Sequence, residues 1–227
     1  MPTTTPASSN VTLAAYDSPI ARITLAALDG ALVGIWAHGQ RFFGHPYGVC
    51  QTEAALMPPP GSRCQGEDGG HVRAEARAGD AAALNAAALW LDDYFAGRNP
   101  TVDRVPIAPR GSDFQRRVWA AMGSIPYGTT LTYGRLAKLL REGGVLASPR
   151  AVGGAVARNP LLLILPCHRV VAAGGTGGYA AGARRKRWLL EFEAATASSS
   201  SAAQDSPRSA PSASATRASL TGSTALT

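Results

Sequence analysis

Residues 131–160 read LTYGRLAKLLREGGVLASPRAVGGAVARNP, and this pattern predicts two short helices separated by a turn. Thr132 is a suitable N-cap for the first helix, YGRLAKLL, whose leucines recur at helical spacing. Ser148 and Pro149 supply an N-cap and a proline at the first helical position, so a second helix is expected over PRAVGGAVAR. Two helices joined by a glycine-containing segment resemble a helix-turn-helix, although this connection is longer than the tightest examples.

The second of these helices carries Gly153 and Gly154 in its middle. Each glycine costs about 1 kcal/mol relative to alanine in a helix. A helix face without side chains allows another backbone to approach closely, either a packed helix or a nucleic-acid backbone. Arg150 lies in the first turn, where recognition helices contact bases. The helix alone leaves both alternatives open.

The flanking segments also favour helices. In SDFQRRVWAAM, Ser112 and Gln115 have the spacing of a capping box, and IPYG at 125–128 predicts a turn. A basic run at 185–187 precedes a last helix beginning WLLEFE. From about residue 196 the chain has almost no bulky apolar side chains and cannot repay the entropy of ordering, which predicts a disordered tail over 196–227.

The N-terminal half, residues 1–103, follows a different pattern. Three strand-like segments, VTLAAY, ARITLAAL and ALVGIW, are separated by the turn signals DSP and DG, which predicts an antiparallel meander. A helix is expected over 82–97, with Gly97 at its C-terminus, after a long connection at 57–80. Residues 1–9 are expected to be a flexible arm. The fold class indicated is therefore mixed, α/β (α+β).

Charge divides the 227-residue chain unevenly. Residues 1–103 carry six Lys or Arg against ten Asp or Glu, whereas residues 104–193, the basic half, carry fourteen against four. This asymmetry indicates either a polyanionic partner for the basic half or an uneven soluble surface. The chain has only three cysteines and no secretory pattern, which favours a reducing, cytoplasmic location. It has no apolar run of membrane-spanning length, so no membrane association is expected.

Residues 165–171 read LPCHRVV and place Cys167 beside His168. A cysteine here is a nucleophile, a metal ligand or a buried inert thiol. A metal would need ligands that this stretch does not supply. A separate zinc site from Cys50, Cys64, His45 and His71 lacks a close Cys-x-x-Cys pair. The basic surroundings favour a nucleophile, because positive charge lowers the pKa of a thiol.

The neighbouring His168 is a candidate base for that nucleophile. In an extended segment, adjacent side chains point to opposite faces, so a bridging water or a bend is expected between His168 and Cys167. An imidazole base also requires an acidic partner to fix its tautomer, and the last helix offers Glu191 and Glu193.

The sequence LPCHRVV lies between RAVGGAVARNP and GGYAAGARRKRWLLE. Together with DFQRRVW at 113–119 and IPYGTTLTYGRLA at 125–137, these segments closely resemble the O6-alkylguanine-DNA alkyltransferases over residues 112–193. SPIARITLAALDGALVGIW at 18–36 resembles the first strands of that family. The resemblance implies a ribonuclease-H-like domain over 10–103 and a helical, winged-helix-like DNA-binding and catalytic domain over 104–195.

The resemblance also implies catalytic roles. Cys167 accepts an alkyl group from O6 of guanine, His168 activates it through a water, and Glu193 rather than Glu191 orients the histidine. Tyr133 gives a proton or a hydrogen bond to the leaving guanine, and Asn159 braces the cysteine segment. The chemistry needs no cofactor and no metal. Non-catalytic lesion binding is the alternative, and a Cys-His hydrolase is a weaker one.

By the same resemblance, Arg150 fills the gap left by a flipped-out nucleotide in duplex DNA containing O6-alkylguanine. The other DNA-binding residues implied are Thr132, Arg135, Ser148, Gly153 and Gly154. The base pocket implied comprises the backbone of Val170, with Tyr179, Ala180 and Lys186. Ala181 and Arg158 depart from common family residues and affect the expected pocket width. The protein is expected to act as a monomer.

Overall fold

A computed structural model describes residues 11–49 and 77–204. Strands β1 (Thr12–Asp17), β2 (Arg22–Leu28) and β3 (Ala31–Ala37) form an antiparallel sheet in the order β1-β2-β3. Asp29 and Gly30, both with positive φ, make the two-residue turn between β2 and β3. The meander predicted from the sequence is confirmed.

Helix α1 (Ala78–Phe95) packs against this sheet. It begins before residue 82, where the sequence predicted its start, because Asp80 ties the first turn to the sheet. The buried Asp80 carboxylate accepts hydrogen bonds from Thr12 Oγ1 at 2.9 Å and from the backbone N–H of Gly30 at 2.6 Å. At the other end Gly97 adopts φ +76° and donates to the Tyr94 carbonyl at 2.9 Å, as a C-terminal glycine should.

The basic half contains the remaining elements. In chain order they are α2 (Asp113–Gly123), β4 (Leu131–Thr132), α3 (Tyr133–Glu142), α4 (Pro149–Ala157), a 3₁₀ turn (Cys167–Arg169), β5 (Val170–Val171) and α5 (Ala183–Gln204). The side chains of Ser112, Thr132 and Ser148 each cap the helix predicted for them. Strands β4 and β5 pair in parallel and bring the start of α3 beside the cysteine segment.

Helix α5 corrects one expectation. It continues to Gln204, so residues 196–204 are helical rather than part of a disordered tail. Thr196 accounts for part of this extension, because its hydroxyl donates to the Phe192 carbonyl at 2.8 Å and lies 2.7 Å from the Tyr127 hydroxyl. Alanine, frequent in this stretch, is also the strongest helix former. Residues 205–227, 1–10 and 50–76 lie outside the described residues.

The two halves share one hydrophobic core. Strand β3 pairs with β2 along one edge and bonds to the basic half along the other, with Leu32 N–H donating to Pro106 O at 2.7 Å and Ile35 N–H to Pro160 O at 2.8 Å. The buried run at 161–165 continues from this contact into the cysteine segment. The sheet therefore supports the cysteine segment directly. In the described ranges, no helix is both long and apolar enough to cross a bilayer.

Candidate active site

Cys167 opens a 3₁₀ turn rather than an extended segment. Pro166, with ψ 64°, redirects the chain, and its carbonyl accepts the Arg169 N–H at 2.9 Å. The segment therefore contains the bend that the sequence left open as one alternative to an extended chain. Successive side chains in a 3₁₀ helix nevertheless diverge by about a third of a turn, so Cys167 and His168 still point in different directions.

The Cys167 thiol is buried and contacts Asn159. The Asn159 Nδ2 group lies 3.2 Å from Cys167 Sγ and also donates to the Leu165 carbonyl at 2.7 Å, while its Oδ1 accepts the Leu161 N–H at 3.0 Å. Asn159 thus holds both ends of the 161–167 segment. Burial raises the pKa of the Cys167 thiol, whereas the Asn159 hydrogen bond and the Lys186 charge act to lower it.

His168 pairs with Glu193. Its Nε2 lies 2.7 Å from Glu193 Oε1, and both side chains are buried. Burial lowers the pKa of His168 and outweighs the opposing effect of the Glu193 carboxylate. Its other nitrogen, Nδ1, is buried and has no hydrogen-bond partner in the described protein. The His168 ring is thus held by Glu193 at Nε2, while Nδ1 is left without a protein hydrogen-bond partner in the described residues.

Glu193 accepts several hydrogen bonds besides that of His168. Tyr94 OH donates to Oε1 at 2.7 Å, Arg169 Nε donates to Oε2 at 2.8 Å, and the Gly128 N–H donates to Oε2 at 3.1 Å. Burial acts to raise the pKa of Glu193, but the hydrogen bonds from His168 and Arg169 outweigh it and hold that pKa at about 2. Glu191, the other candidate on this helix, is exposed.

Sequence reasoning missed Tyr94 and Arg169. Arg169 is part of LPCHRVV, and its position beside His168 was a usable signal. Tyr94 lies 99 residues from Glu193, in a helix whose apolar spacing indicates only core residues. Through Tyr94 the N-terminal half contributes directly to the site.

Lys186 is fully buried behind the loop that follows β5. Its Nζ donates to the Val170 carbonyl at 2.5 Å and to the Gly178 carbonyl at 3.1 Å. Burial lowers the pKa of Lys186 to about 8. Val170 and Lys186 were expected in the base pocket, but neither lines the cavity described next. The Val170 backbone is already bonded within the protein, and Lys186 acts by holding the loop.

A cavity of about 130 Å³ opens onto Cys167. Tyr179 and Ala180, two residues of the expected base pocket, line it, and so do Tyr133 of α3 and Gly153 of α4. The Tyr133 hydroxyl lies 3.3 Å from the Gly178 carbonyl, and burial raises its pKa. The Tyr179 hydroxyl is buried near Cys167 without a well-formed hydrogen bond, and burial raises its pKa well above the usual value. The remaining lining residues are Arg41, Phe42, Val156, Ala157 and Gly178.

The surroundings of Gly153 and Gly154 decide whether a packed helix explains these paired glycines. A Cβ on Gly153 would meet the Tyr133 ring at 3.9 Å, and one on Gly154 would meet Arg158 Nη1 at 3.7 Å. Both are ordinary contact distances, so within the described chain no tightly packed helix requires these glycines. Arg150 is exposed in the first turn of α4.

Thr132 and Ser148 form the helix caps that the sequence predicts. Thr132 accepts the N–H of Arg135, whose side chain is exposed, and Ser148 accepts the N–H of Ala151. These contacts fix where α3 and α4 begin. Among residues 11–49 and 77–204, no group of three His, Cys, Asp or Glu side chains could hold a metal. Cys50, Cys64 and His71 of the alternative zinc site lie outside the described residues.

Comparison with known proteins identifies relatives of this chain. A family model described as the DNA-binding domain of 6-O-methylguanine DNA methyltransferase matches residues 113–195. A methylated-DNA–protein-cysteine methyltransferase of Mycobacterium bovis is 45% identical over 178 residues, covering 78% of this chain and 88% of the relative. One of Shigella flexneri is 45% identical over 104 residues, covering 45% of this chain, and the match spans only 59% of that relative's length.

Solved structures give the same result. The crystal structure of Mycobacterium tuberculosis O6-methylguanine methyltransferase aligns with a TM-score of 0.61 at 34% identity, covering 82% of this chain and 94% of that one. A structure of Mycobacterium tuberculosis OGT in complex with DNA aligns with a TM-score of 0.60 at the same identity, covering 81% and 93%. Because the 178-residue match reaches well beyond the DNA-binding domain into the N-terminal half, the chain belongs to the methylated-DNA–protein-cysteine methyltransferase family.

Proposed function

We propose that this protein repairs DNA by transferring an alkyl group from O6 of guanine to Cys167. The observation that carries the proposal is the position of the Cys167 thiol at a small, largely apolar cavity, next to the buried His168–Glu193 pair. The family relatives are named for this reaction. The site supplies what such a reaction needs, a nucleophile, a base and a donor for the leaving group.

The transfer is a displacement at the alkyl carbon. The thiolate of Cys167 forms a C–S bond while the bond between that carbon and guanine O6 breaks, and its electron pair stays on the guanine. The thiol proton passes through a water to His168 Nδ1, the nitrogen that no described protein group occupies. Glu193, with a pKa of about 2, stays ionised throughout and stabilises the imidazolium without taking the proton.

Tyr133 is the proposed donor to the leaving guanine. Its ring lines the same cavity as Cys167, and burial keeps its hydroxyl protonated. The 3.3 Å contact to the Gly178 carbonyl is long for a hydroxyl hydrogen bond, so redirecting it toward a bound base costs little. Neutralising the guanine as the C–O bond breaks stabilises the leaving group.

The product of this reaction is a thioether, which has no easily hydrolysed bond. Each protein molecule therefore acts once, and the alkylated form is inactive. The displacement itself uses no metal and no organic cofactor, because nucleophile, base and proton donor are all side chains of the protein.

Duplex DNA carrying O6-alkylguanine is the proposed partner. The alkylated oxygen cannot reach Cys167 while the base is stacked, so the nucleotide must rotate out of the helix. Arg150, exposed in the first turn of α4, would fill the gap that the nucleotide leaves. The N-terminal ends of α3 and α4 and the Gly153–Gly154 surface would lie against the DNA backbone. The matched DNA-binding family model and the DNA complex of the M. tuberculosis relative support this arrangement.

The two halves of the chain are proposed to be two domains. Residues 10–103 form a ribonuclease-H-like domain and residues 104–195 a winged-helix-like domain, and the protein works as a cytoplasmic monomer. The antiparallel meander with α1 supports the first assignment. The α3–α4 pair beside the β4–β5 ladder supports the second.

Intact-mass measurement tests the proposed function. After incubation with duplex DNA containing O6-methylguanine, the protein should gain the mass of one methylene unit, located on Cys167 by peptide mapping. The Cys167→Ser variant should bind the duplex and gain no mass. Tight binding without any mass gain would indicate a lesion-binding protein, and methanol released over repeated turnovers would indicate a hydrolase.

A further inference from the structure

Phe42 brings the N-terminal half to the cavity of the proposed alkyl acceptor. It follows β3 in a stretch of turns, and its ring lines the cavity that contains Cys167. Its backbone adopts φ +60°, in the left-handed region that costs a non-glycine residue about 1–2 kcal/mol. Such a conformation persists only where surrounding contacts hold it, and it often marks a functional site.

Contacts with two other segments, the end of α4 and the loop carrying Tyr179, hold the stretch around Phe42 in place. The Arg41 and Arg158 guanidinium carbons lie 5.2 Å and 5.0 Å from its ring centroid, within cation–π range. Arg158 Nη1 also donates to the Gly154 carbonyl at 3.1 Å, which connects the ring to α4. The Arg41 N–H donates to the Ala180 carbonyl at 3.0 Å, which connects it to the loop carrying Tyr179. The ring therefore forms one wall of the cavity, positioned by contacts with both halves of the chain.

The cavity that this wall limits is small. Its volume of about 130 Å³ falls below the range of about 300–1,000 Å³ that is typical of ligand pockets. The room available to a substituent on a bound base therefore depends on the lining residues. A larger O6 substituent has to displace part of the lining, and Phe42 is the bulky apolar side chain supplied from outside the basic half.

We propose that Phe42 is a specificity-determining residue that limits the size of the alkyl group transferred to Cys167. The proposal rests on the function proposed above. A small methyl group fits with the Phe42 ring in place, whereas a benzyl group requires the ring to move against its two guanidinium contacts. Removing the ring should therefore favour bulky groups over methyl.

Phe42→Gly is the sharpest test, because glycine adopts positive φ without strain and so removes the ring without a backbone penalty. Phe42→Leu keeps an apolar side chain of smaller volume and serves if the glycine variant fails to fold. Phe43→Ala is the matched control. Phe43 belongs to the same stretch but packs on Trp36, at 5.8 Å between ring centroids, and does not line the cavity.

The measurement compares single-turnover rate constants on duplexes containing O6-methylguanine or O6-benzylguanine at the same position. The benzyl-to-methyl ratio should rise about tenfold or more in Phe42→Gly, less in Phe42→Leu, and stay within about twofold of the parent in Phe43→Ala, following the range seen for steric rejection in apolar pockets. An unchanged or lower ratio in the folded Phe42 variants overturns the size limit alone. No transfer to Cys167 by the parent protein from either duplex overturns the proposed function as well.

Discussion

Glu193 Oε1 lies 2.7 Å from His168 Nε2, and neither side chain exposes more than 1% of its surface. Because Glu193 is ionised and can only accept, Nε2 carries the imidazole proton. Nδ1 therefore has a free lone pair at neutral pH, where burial keeps His168 uncharged. The pair defines both the tautomer of the base and the direction in which it can take a proton.

Replacing Glu193 tests this assignment. Glu193→Gln keeps the shape of the side chain but removes the charge that stabilises the imidazolium. We expect the single-turnover rate of methyl transfer to fall about 10²- to 10⁴-fold, the usual contribution of positioned acid–base groups. Glu191→Gln, on the exposed face of the same helix, should leave the rate unchanged. Equal losses in both variants would contradict the assigned role.

The low pKa of Glu193 also predicts an acid-sensitive contribution to stability. This pKa falls from 4.5 to about 2 on folding, so the unfolded chain binds the proton more readily between those values. The contribution, about 3 kcal/mol, is present above about pH 4.5 and is lost as the pH falls toward 2. Urea unfolding of the parent and Glu193→Gln proteins across this window should show their stability difference shrinking. A constant difference would disprove the linkage.

Lys186 should keep the Cys167 thiol reactive. Its buried charge acts to lower the pKa of Cys167, while burial acts to raise it. Lys186→Gln keeps a donor for the Val170 and Gly178 carbonyls but removes the charge that lowers the thiol pKa, so the pKa of Cys167 should rise. The pH dependence of iodoacetamide labelling measures that pKa. The exposed Arg187→Gln serves as the control, and the same shift in both variants would show that overall charge, not contact, is responsible.

Arg150 should matter only when the substrate is a duplex. Arg150→Ala leaves the cavity intact, because the side chain is exposed on α4 and does not line it. We expect a loss of about tenfold or more on duplex O6-methylguanine, corresponding to about 1.4 kcal/mol, and little change on free O6-benzylguanine. Arg117→Ala, an exposed cation on α2, should lose less on the duplex. Comparable losses of Arg150→Ala on both substrates would exclude a gap-filling role.

Local features of the fold were predictable because their causes are local. Ser112, Thr132 and Ser148 each satisfy N–H groups within three residues, and the DG turn fixes the β2–β3 hairpin. The end of α5 was not predictable in the same way. One contact at the start of its extension past residue 195 joins Thr196 to Tyr127, a partner 69 residues away that no local pattern indicates.

The residues of the candidate site also differ in whether a local pattern or a long-range contact brings them there. Cys167, His168, Glu193 and Asn159 belong to a recognisable pattern, and the structure brings them together. Tyr94 and Phe42 come from the N-terminal half through long-range contacts that no local pattern encodes. The 3₁₀ turn at Cys167 was one of two alternatives that the sequence left open, because the apolar residues around it favour an extended strand while Pro166 redirects the chain.

Cys167 should accept one alkyl group and then be spent. A titration with duplex DNA carrying a radiolabelled O6-methyl group, followed by counting of protein-bound label at large DNA excess, measures this directly. The label should rise to one methyl per protein molecule, all of it on Cys167, and then stop. Label on another residue, or continued demethylation after one equivalent, would contradict this expectation.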